Sequence, residues 1–124
     1  MNKVAYFLIF LVFVGGVVWL IVTPGKPGKL DAFATCIKDS GTLFHGAFWC
    51  PHCQNQKSLF GSSAKLLPYI ECSTPDGNGQ LPVCENKGIK TYPTWYLPDG
   101  VIHEGELSLE ELSKATNCPL PVTQ

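Results

Sequence analysis

Two cysteines separated by two residues, in the run Trp49-Cys50-Pro51-His52-Cys53, are the residues of this chain best suited to covalent chemistry. Thiols at that spacing reach one another and can close into a disulfide, so the pair can carry two electrons. The pair follows a short apolar run, Thr42 to Phe48, and Pro51 opens the next stretch. Proline is tolerated at the first position of a helix, where its missing N–H costs nothing. Cys50 then falls just before a helix and Cys53 about one turn inside it. The unpaired N–H groups and positive dipole end of a helix start stabilise a thiolate at Cys50. His52 adds a donor, and a positive charge when protonated, beside the same sulfur. Cys50 is the less buried of the two in this geometry, so it attacks first and Cys53 resolves the mixed disulfide. A stabilised thiolate favours the reduced form, which makes the disulfide form an oxidant and favours disulfide donation over reduction. Taken by itself, the spacing also fits a structural disulfide, or half of a zinc site completed by Cys72, Cys84 or His52.

Six cysteines in 124 residues point to oxidised pairs and a compartment that tolerates them. The four outside the dithiol allow three pairings, of which Cys72 with Cys84 and Cys36 with Cys118 are favoured. The first closes a twelve-residue connection; the second ties the opening of the domain to its end. In a chain-entropy picture the two bridges are worth about 3 and about 4.5 kcal/mol. Cys72–Cys84 is either a structural bridge or a second redox pair that relays electrons to Cys50–Cys53.

The elements that must position the dithiol can be read from periodicity. Leu30, Phe33, Ala34 and Ile37 recur at helical spacing, so residues 29–39 form an amphipathic helix ended by Gly41. Thr42–Phe48 is a buried strand. A helix from Pro51 to about residue 67 carries Cys53, Lys57, Phe60, Ala64 and Leu67, with a bend near Gly61. Pro68–Cys72 is a second strand and Ser73–Gly79 a turn cluster. Leu81–Lys87 is a short helix, Thr94–Leu97 and Val101–Glu104 are strands of a hairpin, and Ser108 with Glu111 caps a final helix. This order makes one mixed sheet covered by helices, an α/β domain over residues 30–124.

In front of the domain, Val4 to Val22 runs for 19 residues without a charge, enough helix to cross a bilayer core of roughly 30 Å. It is longer than a signal-peptide core, so residues 1–22 are expected to be an uncleaved transmembrane anchor. Residues 23–29 (TPGKPGK) are a linker that stops the helix. Lys3 flanks one end of the span and Lys26 and Lys29 the other, so charge does not set its orientation. The cysteines do: the domain belongs outside the cytoplasm. Ten carboxylates face six lysines from Leu30 onward and the chain has no arginine, which excludes a nucleic-acid-binding stripe.

At Phe48-Trp49-Cys50-Pro51-His52-Cys53 and at Gly88-Ile89-Lys90-Thr91-Tyr92-Pro93-Thr94-Trp95, whose Pro93 falls forty residues after Cys53, the chain resembles the thioredoxin superfamily. The resemblance implies a thioredoxin-like fold and a cis peptide before Pro93, which would face Cys50 and Cys53. Tyr92 and Thr94 would then meet a substrate strand. The run Gly46 to Cys72, with Cys84, Tyr92 to Trp95 and Ser108 to Leu112, is similar to the thioredoxin-like domain fused to vitamin K epoxide reductase homologues, over roughly residues 30–118. That likeness implies a domain that passes disulfides to exported cysteine-containing proteins and is reoxidised by a quinone-linked membrane enzyme. No cofactor or metal of its own is implied. One departure stands out. Thioredoxins hold a buried aspartate in the strand before the dithiol to help deprotonate the resolving cysteine; here Phe44 falls there. His45 is a candidate proton relay, with a core or surface role as the default, and Glu71 and Lys57 are further candidate helpers to weigh against plain solvated roles. The leading expectation is an extracytoplasmic dithiol oxidase or isomerase. A membrane-tethered reductase and a non-catalytic metal- or peptide-binding module are the alternatives.

Overall fold

The computed structural model describes residues 2–122. Helix α1 (Lys3–Val22) is 20 residues long, has a mean hydropathy of 2.7 over its apolar window and buries no residue against the rest of the chain. It is long and apolar enough to cross a membrane. Residues 24–28 that follow have no helix or strand.

The remainder is built in the order α2 (Asp31–Asp39), β1 (Leu43–Gly46), α3 (Pro51–Ser58), a 3₁₀ turn (Gly61–Leu66), β2 (Tyr69–Glu71), α4 (Pro82–Glu85), β3 (Thr94–Tyr96), β4 (Ile102–Glu104) and α5 (Leu109–Thr116). The strands form one sheet in the order β2-β1-β3-β4, with β2 parallel to β1, and β3 and β4 successively antiparallel. This is the mixed, helix-covered sheet of the thioredoxin-like fold. The helix expected to run to about residue 67 stops at Ser58 and resumes as the 3₁₀ turn. Gly61 takes a φ of +53° at the break, a conformation that carries little penalty only for glycine.

Side chains alternate across the sheet, and the two faces do different work. Phe44 on β1 stacks on Trp95 of β3 at 4.4 Å and meets Tyr69 of β2 edge-on at 5.1 Å. Phe33, Ala34 and Ile37 of α2, Cys53 of α3 and Leu112 of α5 bury against this face. The opposite face carries a smaller cluster of Cys72, Cys84 and Ile89, with Ile70 and Tyr96 packed on it. Two disulfides, Cys36–Cys118 and Cys72–Cys84, close the edges of the domain, in the pairing favoured on spacing. The expected capping box at the start of α5 is present: Ser108 Oγ accepts from the Glu111 amide, and Glu111 accepts from the Ser108 amide.

One buried polar residue holds α3 in place. The Gln56 amide donates to the Leu107 carbonyl at 2.9 Å and accepts from the Leu107 N–H at 2.7 Å. Gln56 is fully buried, so an apolar replacement strands two backbone groups away from water. Gln56→Leu is therefore expected to lower the unfolding free energy of the full chain in detergent by about 2–4 kcal/mol, read from the urea midpoint. A loss below about 0.5 kcal/mol would show that Leu107 finds other partners.

Candidate active site

The dithiol sits where β1 hands over to α3. Cys50 is the residue before the helix, with extended backbone (φ −76°, ψ 119°), and Pro51 occupies the first turn. The Cys50 carbonyl accepts the Gln54 N–H at 3.1 Å, so the helix begins at Cys50 itself. Cys50 and Cys53 are both free thiols here. The Cys50 sulfur makes no capping bond to the α3 amides. It donates to the Tyr92 carbonyl at 3.5 Å, so in the thiol state the helix acts on it through its dipole alone.

The Tyr92–Pro93 peptide is cis, and Pro93 lies fully buried in the segment that faces Cys50. Trp49 is half exposed beside the thiol. Its indole N–H donates to Ser73 Oγ at 2.9 Å and its ring meets Tyr92 edge-on at 6.0 Å. Phe48, exposed at 46 %, extends the apolar rim. The Tyr92 hydroxyl accepts from the Gln80 side-chain amide, and Gln80 also donates to the Ile89 carbonyl. The loop bridged by Cys72–Cys84 thus braces both aromatic residues next to the dithiol.

Two expected site residues, His52 and Thr94, take other positions, and His45 takes the core role weighed as its default. His52 is exposed and its Nδ1 lies 2.7 Å from Glu106 Oε1, so the ring is engaged by a carboxylate from the loop before α5 and is not directed at Cys50. Thr94 is buried, paired in the sheet with His45 and Glu104, and its hydroxyl donates to the Thr91 carbonyl. Its side chain is thus taken up within the fold, while the Tyr92 carbonyl faces the Cys50 sulfur. His45 is buried with neither ring nitrogen hydrogen-bonded. It lies beside Tyr96 at 4.8 Å, on the face opposite Phe44 and Gly46, and so points away from Cys53. Burial, helped by the Lys87 charge, pulls its pKa below the usual value. The proton-relay role considered for His45 is excluded by strand alternation.

Cys53 is fully buried. Burial, aided by the adjoining Cys50, pushes its thiol from 9.0 up to about 12, against the opposing pull of the Ala47 backbone and the Lys57 charge. Its sulfur packs against the backbone of β1 at Gly46. A methyl placed there would lie 2.7 Å from Cys53 Sγ and 2.9 Å from Tyr69 Cε2, so only glycine admits both side chains. Tyr69 was not anticipated from the sequence as a site residue. Its one signal is alternation: Tyr69 and Glu71 lie opposite Phe44 and Gly46 in the β1–β2 register and so share their face.

A groove of about 770 Å³ between Lys29, Leu30, Ser58–Ser62, Leu109, Pro121 and Val122 contains none of these residues. Cys50 is itself 5 % exposed and lies beside the exposed rim of Phe48 and Trp49.

No family model matches the chain. By sequence it is similar to the thiol-disulfide oxidoreductase LTO1 of Arabidopsis thaliana, with 40 % identity over 94 residues. The match covers 72 % of this chain and 24 % of that protein, so the chain spans about a quarter of the length of the curated relative it matches. The likeness supports a place for the chain among thiol-disulfide oxidoreductases.

The raised Cys53 pKa carries a stability consequence. The folded dithiol keeps this proton to higher pH than the unfolded chain does. The associated stability is complete below pH 9.0 and is lost as pH rises towards about 12. The thermal midpoint of the reduced protein is expected to fall across that window more steeply than that of Cys53→Ala. Parallel curves for the two proteins would contradict the assignment.

Proposed function

We propose that the chain is a membrane-anchored protein thiol-disulfide oxidoreductase whose Cys50–Cys53 couple donates or isomerises disulfides in exported proteins. The observation that carries this reading is the placement of the Cys50 sulfur at the first turn of α3, 3.5 Å from the Tyr92 carbonyl and beside exposed Phe48 and Trp49. The name of the plant relative supports the same reaction class.

The chemistry is a two-step exchange. A substrate thiolate attacks the Cys50 sulfur of the disulfide form; the Cys50–Cys53 bond breaks, a substrate–Cys50 bond forms and Cys53 leaves with the electron pair and takes up a proton. A second substrate thiolate then attacks the substrate sulfur of that mixed disulfide. The substrate gains the disulfide, Cys50 leaves as thiolate, and the protein is reduced by two electrons. The Tyr92 carbonyl next to the reacting sulfur accepts a backbone N–H from an extended substrate segment, in the manner of strand addition. Trp49 and Phe48 supply apolar contact that tolerates many sequences. A protein-sized partner suits this open face better than a small molecule that needs enclosure.

Helix α1 anchors the domain, with the dithiol on the extracytoplasmic side where the Cys36–Cys118 and Cys72–Cys84 bridges persist. Reoxidation falls to a quinone-linked membrane enzyme of the vitamin K epoxide reductase type. Cys72 and Cys84 are fully buried as well as bonded, which favours a bracing role over a relay, since no thiolate reaches a buried sulfur in line. Their bond also removes them from the zinc alternative.

Trapping tests the order of attack. Cys53→Ala is expected to accumulate mixed disulfides with exported proteins through Cys50 in cells, on non-reducing gels, while Cys50→Ala accumulates few. Equal yields from the two variants, or none from either, would refute the proposal.

A further inference from the structure

Glu71 is the last residue of β2, half-buried, and its carboxylate gathers three donors. Oε1 accepts the backbone N–H of Phe48 at 3.2 Å and that of Ser73 at 2.9 Å, and Oε2 accepts the Tyr69 hydroxyl at 2.9 Å. Phe48 lies in the turn between β1 and α3, two residues before Cys50. Ser73 opens the loop closed by Cys72–Cys84. Its Oγ takes the Trp49 indole N–H at 2.9 Å, and its backbone bridges to Gln80, whose side chain holds the Tyr92 hydroxyl. Tyr69 is fixed in turn beneath the Lys57 ammonium, 3.3 Å from its ring centroid. One side chain thus ties the segment leaving β1 to the segment leaving β2, and with them the aromatic residues next to Cys50. Hydrogen bonds from a backbone N–H to a carboxylate are stronger than those between neutral groups. Phe48 and Trp49 stand 46 % and 51 % exposed. Apolar rings in water gain by folding back onto the protein, so holding them outward requires a fixed backbone beneath them.

We propose that Glu71 is a specificity-determining positioning residue: it pins the backbone at Phe48 and Ser73 so that Phe48 and Trp49 are held ready for an extended polypeptide, and so sets the preference of the dithiol for polypeptide thiols over small ones. A polypeptide lying across the Tyr92 carbonyl meets both rings and gains from finding them already ordered, because ordering a free side chain on binding subtracts from affinity. A small thiol reaches the Cys50 sulfur without using the rim and gains nothing. Glu71 acts through the rim, not on the reacting sulfurs. The inference deepens the exchange reaction proposed above and rests on it. The conservative replacement discriminates: a glutamine oxygen still accepts from both backbone N–H groups, and its amide donates to the Tyr69 oxygen. Alanine does neither.

The test follows single turnovers of the oxidised full-length protein in detergent with two reductants, an unfolded synthetic peptide carrying two cysteines and reduced glutathione. In each reaction two substrate thiols join in a disulfide, Cys50–Cys53 gains the two electrons, and the two protons released end on Cys50 and Cys53. Glu71→Ala is expected to raise the half-saturating peptide concentration about fivefold or more, while the maximal rate with peptide and the rate constant with glutathione stay within about twofold of the parent. Glu71→Gln should remain within about twofold of the parent in all three. Ser73→Ala, which removes the Trp49 partner and spares the carboxylate, is expected to raise the half-saturating peptide concentration about threefold, and it keeps the proposal testable if Glu71→Ala does not fold. Amide hydrogen exchange at Phe48 and Ser73 should quicken in Glu71→Ala but not in Glu71→Gln, which reads the clamp without reference to activity. Half-saturation within about twofold of the parent in both Glu71→Ala and Ser73→Ala would overturn the proposal, as would equal slowing with peptide and with glutathione. A parent protein inert towards both thiols would instead refute the exchange reaction itself, and this inference with it.

Discussion

A hydrogen atom is all that fits on the Cα of Gly46, and the reactive site is arranged around that fact. The close approach lets α3 lie against β1 with the Cys53 sulfur on the strand backbone and the Tyr69 ring beside it. Cys53 is thereby removed from water, while Cys50, three residues earlier, stays at the helix mouth beside Tyr92. The two sulfurs share a helix start but not an environment. One faces a carbonyl and an open rim; the other faces the sheet. A dithiol that exchanges electrons with a partner in a fixed order needs this asymmetry, because the outer sulfur must be reachable and the inner one must wait.

Burial makes the inner thiol hard to ionise, and a small apolar core offers few ways to move its proton. The usual solution puts a carboxylate under the dithiol. Here that site is given to Phe44, whose stack on Trp95 is part of the core. In so small a domain the aromatic contact is needed for packing.

The rim depends on a different restraint. Trp49 and Tyr92 lean on Ser73 and Gln80, and both of these belong to the loop closed by Cys72–Cys84. That bridge confines a loop which lacks secondary structure over much of its length, and so limits the motion of the aromatic side chains next to Cys50. Cys36–Cys118 does the corresponding work at the far edge, joining α2 to the residue after the left-handed Asn117 that ends α5. Oxidised bridges thus hold the frame, while the reactive pair is left free to change state.

Much of this was legible in the residues alone. The C-x-x-C spacing at a strand–helix junction, the helical periodicity of α2, the Ser108–Glu111 cap and the uncharged run of α1 are local patterns, and local patterns follow from backbone geometry and chain periodicity. The disulfide pairing was favoured correctly because loop length and element order restrict it. What stayed illegible was lateral. That His45 points away from the dithiol, that Thr94 is consumed by Thr91 and the sheet, and that Tyr69 shares the Gly46 side of β1 with Cys53 all follow from how β1 registers against β2 and β3. A one-residue change of register would move each of those side chains to the other face. The sequence by itself determined which residues carry the chemistry and how the helix start addresses them; only the tertiary structure decided which neighbours they meet, because strand register and the glycine-sized gap at residue 46 are set by packing across the whole sheet.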